Sequence, residues 1–205
     1  MDFLSEYLTF DHCLDALGFV TGILYLYWEY FADPKMWIAE IIIPIIMCWL
    51  FLDKGLYADF GMNVYYFLIA IYGYIAWTRG AKNKEKKSNK KNELPISHIG
   101  IRHLLGCIGA FAAIYILIAY WLLYFTDSNV PYIDAFTTAL SIIAMWMLAR
   151  KFIEQWLAWI LVDAVSVGLY IYKDIPLSAL RYAIYTIIAF FGYAKWHRMM
   201  ISEKS

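Results

Sequence analysis

The 205-residue chain is poor in the patterns from which soluble catalytic sites are built. Its three cysteines, Cys13, Cys48 and Cys107, show no CxxC or comparable metal-ligand spacing. They are expected to be small apolar fillers of helix interfaces. A glycine-rich phosphate loop, a GxSxG elbow and a zinc motif are all missing, which argues against ATP-driven work by this chain and against hydrolysis. No metal site and no cofactor are expected. Met1 to His12 carries acids rather than a basic n-region, so no cleavable signal peptide is expected. Net charge is lacking too: 17 basic residues balance 17 acidic ones. Only their distribution can inform.

Apolar residues, by contrast, make up 63% of the chain, and the mean hydropathy is +0.57. A soluble domain is nearer half apolar and cannot hide that much. Runs of about 20 apolar residues, the length that spans a bilayer, recur along the sequence. They predict an all-α membrane protein with seven spans, near Cys13–Phe31, Met36–Leu52, Phe60–Thr78, His103–Phe125, Pro131–Ala149, Phe152–Tyr172 and Leu177–His197. Pro44 falls inside the second span, where it frees a carbonyl that neighbours must satisfy.

Between the third and fourth spans the composition changes abruptly. Residues 79–92 hold Arg79, Lys82, Lys84, Lys86, Lys87, Lys90 and Lys91 and almost nothing apolar. Such a run reads either as a nucleic-acid or lipid-binding patch or as a solvated cytoplasmic loop, and the positive-inside rule favours the loop; membrane lipid surrounds the spans, and no nucleic-acid partner is expected. With that loop inside, alternation leaves only Lys54, Lys173 and Arg181 of the 17 basic residues outside. The amino terminus is therefore predicted outside and the carboxyl terminus in the cytoplasm.

The chain also repeats itself. At a constant offset of 119 residues, Asp15-Ala16 meets Asp134-Ala135, Ile23 meets Ile142, and Trp37 meets Trp156. Further on, Ala39 meets Ala158, Tyr66 meets Tyr185, Ala70 meets Ala189, and Gly73-Tyr74-x-x-Trp77 meets Gly192-Tyr193-x-x-Trp196. Three parts follow: a first three-helix repeat (1–79), a basic loop with a linking helix (80–129), and a second three-helix repeat (130–205). An odd repeat plus one linker gives both repeats the same orientation, and parallel repeats of this kind place substrate near the midplane at their interface. Rocking of the two repeats would give alternating access.

The sixth span carries the densest chemistry. At about 100° per residue, Trp156, Trp159 and Asp163 share an arc of roughly 60° on one helix face. Phe152 and Tyr170 lie on the same stripe. An ionisable group at membrane depth is costly and by default marks a substrate or ion path, and indole faces attract cations. The stripe describes a pocket for a flat, positively charged molecule. The repeat adds Trp37, equivalent to Trp156, and Glu40, equivalent to Trp159. Glu40 reads equally as a gate or as a snorkelling carboxylate. Asn63, Tyr66, Tyr182 and Tyr185, on the repeat-ending helices, offer polar groups suited to a ribose or an amide. Asp15 and Asp134 are expected to cap helix amino termini. Trp28, Trp77, Trp121 and Trp196 are expected to be interface anchors.

The WxxWxxxD stretch of Trp156, Trp159 and Asp163 resembles the signature of the PnuC-type vitamin transporters. So do Gly55-Leu-Tyr57-Ala-Asp59, Tyr65-Tyr66 with Tyr72-Gly73-Tyr74 and Trp77, Leu94-Pro-Ile-Ser97, and the closing Gly192-Tyr-x-x-Trp196. The resemblance covers nearly the whole chain. It implies a 3+1+3 SWEET-like fold, often trimeric, and facilitated diffusion of an unphosphorylated cationic vitamin that a cytoplasmic kinase then traps. Nicotinamide riboside is the commonest substrate in the family and thiamine an alternative. Only Trp156, Trp159 and Asp163 carry over as signature residues. Two features depart from the riboside pattern: Asp163 stands where Asn is usual, and Trp37-Ile-Ala-Glu40 is atypical. Both add negative charge, which suits a pyridinium and a thiazolium alike.

Overall fold

Prolines stand where several helices begin, because the first helical position needs no backbone N–H and favours the φ that proline holds. Pro131 and Pro176 open helices in this way, and Pro34 closes the turn before another. The computed structural model describes residues 21–53, 57–79 and 94–204. Seven helical segments lie among them: α1 (residues 21–30), α2 (Lys35–Asp53), α3 (Tyr57–Arg79), α4 (Ile101–Phe125), α5 (Pro131–Ala149), α6 (Gln155–Tyr172) and α7 (Pro176–Lys204). Cys13, Asp15, Gly55 and Lys82 to Lys91 lie outside the described residues.

Five of these helices contain stretches long and apolar enough to cross a membrane: Phe60–Thr78, Ile101–Phe125, Pro131–Ala149, Gln155–Tyr172 and Pro176–Ser202. Helix α2 carries Glu40 within its 19 residues. Pro44 sits inside it and is buried.

The chain forms two compact units, residues 1–71 and 72–205. Within the second unit α4 packs on α5, α5 on α6, and α6 most extensively on α7. Cys107 of α4 joins Ile143, Met147 and Phe152 in a small core, the filler role expected of it.

The internal repeat is visible in the backbone. The turn after α1 and the turn after α5 each place one residue in the left-handed region: Ala32 at φ 53° and, 119 positions on, Lys151 at φ 52°. Each is held by the same hydrogen bonds. Ala32 N–H donates to Glu29 O at 2.9 Å, and Lys151 N–H to Leu148 O at 2.9 Å. Asp33 donates to Trp28 and Phe152 to Met147; Met36 to Asp33 and Gln155 to Phe152; Trp37 to Pro34 and Trp156 to Ile153. The same turn thus delivers a fully buried tryptophan at the start of α2 and of α6.

Two expectations are corrected. Trp77 and Trp196 are not interface anchors; both are fully buried. The Trp77 indole N–H donates to the Leu148 carbonyl at 3.2 Å, near the end of α5, where backbone carbonyls need partners. Its ring lies 6.0 Å from that of Trp196, its own repeat mate, and the buried Lys151 ammonium sits 4.3 Å over its face. Asp134 does not cap the backbone of its helix either. Its carboxylate accepts from Ser128 Oγ at 2.8 Å and pairs with Lys173 Nζ at 3.3 Å.

The Leu94-Pro-Ile-Ser97 segment works as a strap. Leu94 N–H reaches Trp77 O at 3.4 Å, and Ser97 forms an isolated parallel bridge with Phe152 across the turn after α5. Glu154 fastens the next residues, accepting from Ile99 N–H at 2.9 Å and pairing with His98 Nδ1 at 2.8 Å. Gly100, which precedes α4, has no side chain to cap it. Glu154→Ala leaves the Ile99 N–H without its carboxylate acceptor. It is expected to lower stability by about 1–2 kcal/mol, with a smaller loss for Glu154→Gln, read as thermal unfolding of the detergent-purified protein.

Candidate functional site

The buried residues of α6 include Trp156, Val162, Asp163, Ser166 and Leu169. This spacing marks one helix face, which packs on a neighbour because apolar side chains at i, i+3 and i+7 stack along it. That packing is pinned at its start by a glycine. A Cβ on Gly192 of α7 would lie 2.6 Å from Trp156 Cη2 and 2.7 Å from Cζ2 and Cζ3, so only glycine admits the indole there. The same indole meets Trp196 edge-on at 5.7 Å and 89°. The Gly192-Tyr-x-x-Trp196 motif is therefore the seat of Trp156.

From this fixed point the rest of the stripe follows. Trp159, one turn on, is half-buried, and its indole N–H and that of Trp156 have no hydrogen-bond partner among the described residues. Asp163, two turns from Trp156, is 7% exposed and makes no direct hydrogen bond or ion pair to another described residue. It lies within electrostatic reach of Tyr182 and Tyr185 on α7, whose rings meet at 6.0 Å and 72°. Arg181 is close to both tyrosines. Of the residues singled out in the second repeat, Asp163, Tyr182 and Tyr185 are thus brought together, with Trp159 on the same α6 face. Trp156 is placed in the packing beneath them.

The first repeat holds a second cluster. Trp37 is fully buried; Glu40, Asn63 and Tyr66 are half-buried. Glu40 is within electrostatic reach of Tyr66 and of Tyr25 on α1, and the Tyr66 ring stands 5.7 Å from that of Tyr65. The buried Tyr25 hydroxyl has no hydrogen-bond partner among the described residues. Sequence reasoning missed Tyr25. A signal was available: it stands four residues before Glu29, so two polar groups share one face of an apolar helix.

A carboxylate set into an apolar span is costly, and by default it marks a solute or ion path. The class is a multi-pass membrane transporter. Residues 12–198 match the family described as nicotinamide mononucleotide transporter, and the chain belongs to that family, of the PnuC type. It is 24% identical over 203 residues to the nicotinamide riboside transporter PnuC of Escherichia coli (strain K12), covering 89% of this chain and 84% of the relative. It is 25% identical over 182 residues to the riboflavin/roseoflavin transporter RibM of Streptomyces davaonensis, covering 89% and 83%. Among solved structures, the crystal structure of the vitamin B3 transporter PnuC aligns with a TM-score of 0.69 at 22% identity, covering 94% of this chain and 83% of the other. That likeness is one of fold.

Gly192→Ala tests the seat of Trp156. The added methyl must displace an indole already wedged against Trp196. Overpacking of this kind is expected to destabilise by about 1–3 kcal/mol, measured as a drop in thermal midpoint, whereas Gly168→Ala, with nothing within 4 Å of its Cβ, should not.

Proposed function

We propose that the protein imports a cationic vitamin, nicotinamide riboside, across the cell's inner membrane by facilitated diffusion. The observation that carries this reading is the α6 stripe, where a buried carboxylate without a direct partner, Asp163, follows the unpartnered indole N–H of Trp159 by one turn. A planar pyridinium would lie on the Trp159 face, with Asp163 supplying opposite charge. The indole N–H and the Tyr182 and Tyr185 hydroxyls would meet the ligand's amide and ribose oxygens. A desolvated cation–π contact is worth about 2 kcal/mol, enough for recognition and weak enough for release. Trp37, Glu40, Asn63 and Tyr66 belong to the same reading as further substrate-binding residues. Names of relatives support the choice of riboside.

The reading includes a 3+1+3 SWEET-like architecture with parts at 1–79, 80–129 and 130–205, and a homotrimeric assembly. It includes an amino terminus outside and a carboxyl terminus in the cytoplasm. A cytoplasmic kinase acting downstream would phosphorylate the vitamin and prevent its return, so transport needs no coupling ion. Thiamine is a second reading, favoured by the additional negative charge of Asp163 and Glu40. Riboflavin has no positive charge for these carboxylates to pair with.

Titration calorimetry of detergent-purified protein with nicotinamide riboside, then thiamine, separates the readings. Riboside binding is expected. Thiamine binding alone would reassign the vitamin, and silence for both would remove the cationic pocket. Trp159→Ala should weaken riboside binding about 30-fold, the equivalent of that 2 kcal/mol, and Asp163→Asn about tenfold. Wild-type affinity in both variants would show the site to be elsewhere. For orientation, Ser88→Cys in a background without native cysteines should escape a membrane-impermeant maleimide on sealed cells, whereas Asp127→Cys should react; the opposite pattern would invert the topology.

A further inference from the structure

Asp134 and Lys173 join two helix ends on the predicted outer side, and neither has a part in the scheme above. Asp134 stands in the first turn of α5, and Lys173 follows the last residue of α6. The Lys173 ammonium lies 3.3 Å from one oxygen of the Asp134 carboxylate and 3.5 Å from the other. Ser128 Oγ, from the loop before α5, donates to the second oxygen at 2.8 Å and holds the carboxylate in place. The lysine is held through its backbone. Lys173 N–H donates to Leu169 O at 2.9 Å, and past Asp174, at φ 57°, Ile175 N–H returns to Tyr170 O at 2.9 Å.

Lys173 also belongs to the face that carries Asp163. At about 100° per residue, Asp163, Ser166, Tyr170 and Lys173 share an arc of roughly 80°. A rise of about 1.5 Å per residue puts Lys173 roughly 15 Å beyond Asp163 along the axis. Helix α6 itself contains no lysine or arginine, so Lys173 is the cation that stands over this face. With side chains 34% and 25% exposed, the ion pair adds little to stability. Yet both members recur at the offset of 119 residues, as Lys54 and Asp15, which lie outside the described residues. Trp159, Lys151 and Glu154, by contrast, have mates of different character.

We propose that Asp134 masks the charge of Lys173 and so keeps the outer approach to Asp163 open to a cationic vitamin. A bare ammonium on the α6 face would make the potential along that approach more positive and repel a pyridinium or a thiazolium before it reached the pocket. Paired at 3.3 Å, the two charges nearly cancel at the distance of Asp163. Between partly exposed charges such an effect depends on salt: the Debye length is about 30 Å at 0.01 M ionic strength and about 8 Å at 0.15 M. Asp127, Asp174 and Arg181, the other charges of this end among the described residues, stay the same in every variant below.

The inference rests on the reading above, both for Asp163 as the counter-charge and for this end as the outer one. If neither nicotinamide riboside nor thiamine binds the wild-type protein, or if labelling at Asp127→Cys places this end inside, the reading and the inference fall together. Otherwise, initial uptake of the cation that binds is measured below saturation in cells expressing the full chain, at ionic strengths of about 0.01 M and about 0.15 M. Asp134→Asn bares the lysine and is expected to lower the rate about threefold at low salt, and less at high salt. Lys173→Gln bares the carboxylate and should raise the low-salt rate by a similar factor. The double variant removes both charges and should return the rate close to that of the wild type. A pair that only staples α5 to α6 is broken in all three variants alike and would lower uptake in each. Unchanged uptake in Asp134→Asn, no gain in Lys173→Gln, or a double variant no faster than Asp134→Asn would overturn the inference and leave the site reading intact. If Asp134→Asn does not accumulate as folded protein, judged by its thermal midpoint, Lys173→Gln decides alone.

Discussion

The contact between Trp156 and Gly192 sets the register of α6 on α7. An indole is large and rigid, and a glycine offers the one backbone position that lets it approach the neighbouring helix closely. Once Trp156 is seated, α6 can neither slide nor rotate on α7 without opening a void or a clash. Every polar residue further along α6 then has a determined opposite number. Asp163 falls within electrostatic reach of Tyr182 and Tyr185, and Tyr170 stacks on Tyr182. The column continues on the other side through Trp196 and Trp77 to the ammonium of Lys151. Aromatic packing at one end of the helix pair thereby supports polar positioning along the rest of it.

The two repeats share a turn but not a chemistry. Ala32 and Lys151 adopt the same left-handed conformation and are held by the same hydrogen bonds, yet one is a methyl and the other a buried cation on a tryptophan face. Glu154, which fastens the strap, has Lys35 as its repeat mate. Trp159 has Glu40. Duplicated backbone with divergent side chains lets one scaffold present an indole and a carboxylate in one half and a carboxylate among tyrosines in the other.

Much of this was legible in the sequence. The span from Pro131 to Ala149 is bounded by a helix-starting proline and a basic pair, and the helix has those bounds. The offset of 119 residues was visible in Trp37, Trp156 and the paired Gly-Tyr-x-x-Trp motifs, and it reappears in the turns. Asp163 stood out because a carboxylate in an apolar run has few innocent explanations. Trp77 and Trp196 were misread because a tryptophan near a predicted span end looks like an interface anchor. Whether another element covers that end depends on packing, which periodicity does not carry. Tyr170 was placed on the right face, but its partner lies on a different helix at a height fixed by Gly192. One-dimensional patterns resolve faces; they do not resolve heights.

The strap has one more consequence, for the basic loop that precedes it. The backbone leaves the helical bundle at Trp77 and is back beside it at Leu94, with the carbonyl of one bonded to the N–H of the other at 3.4 Å. The chain between is a closed excursion whose two ends are already tied. Closing such a loop costs entropy that grows only with the logarithm of its length, about 0.6 kcal/mol for each doubling. Length and content of the excursion are therefore almost decoupled from the fold of the spans.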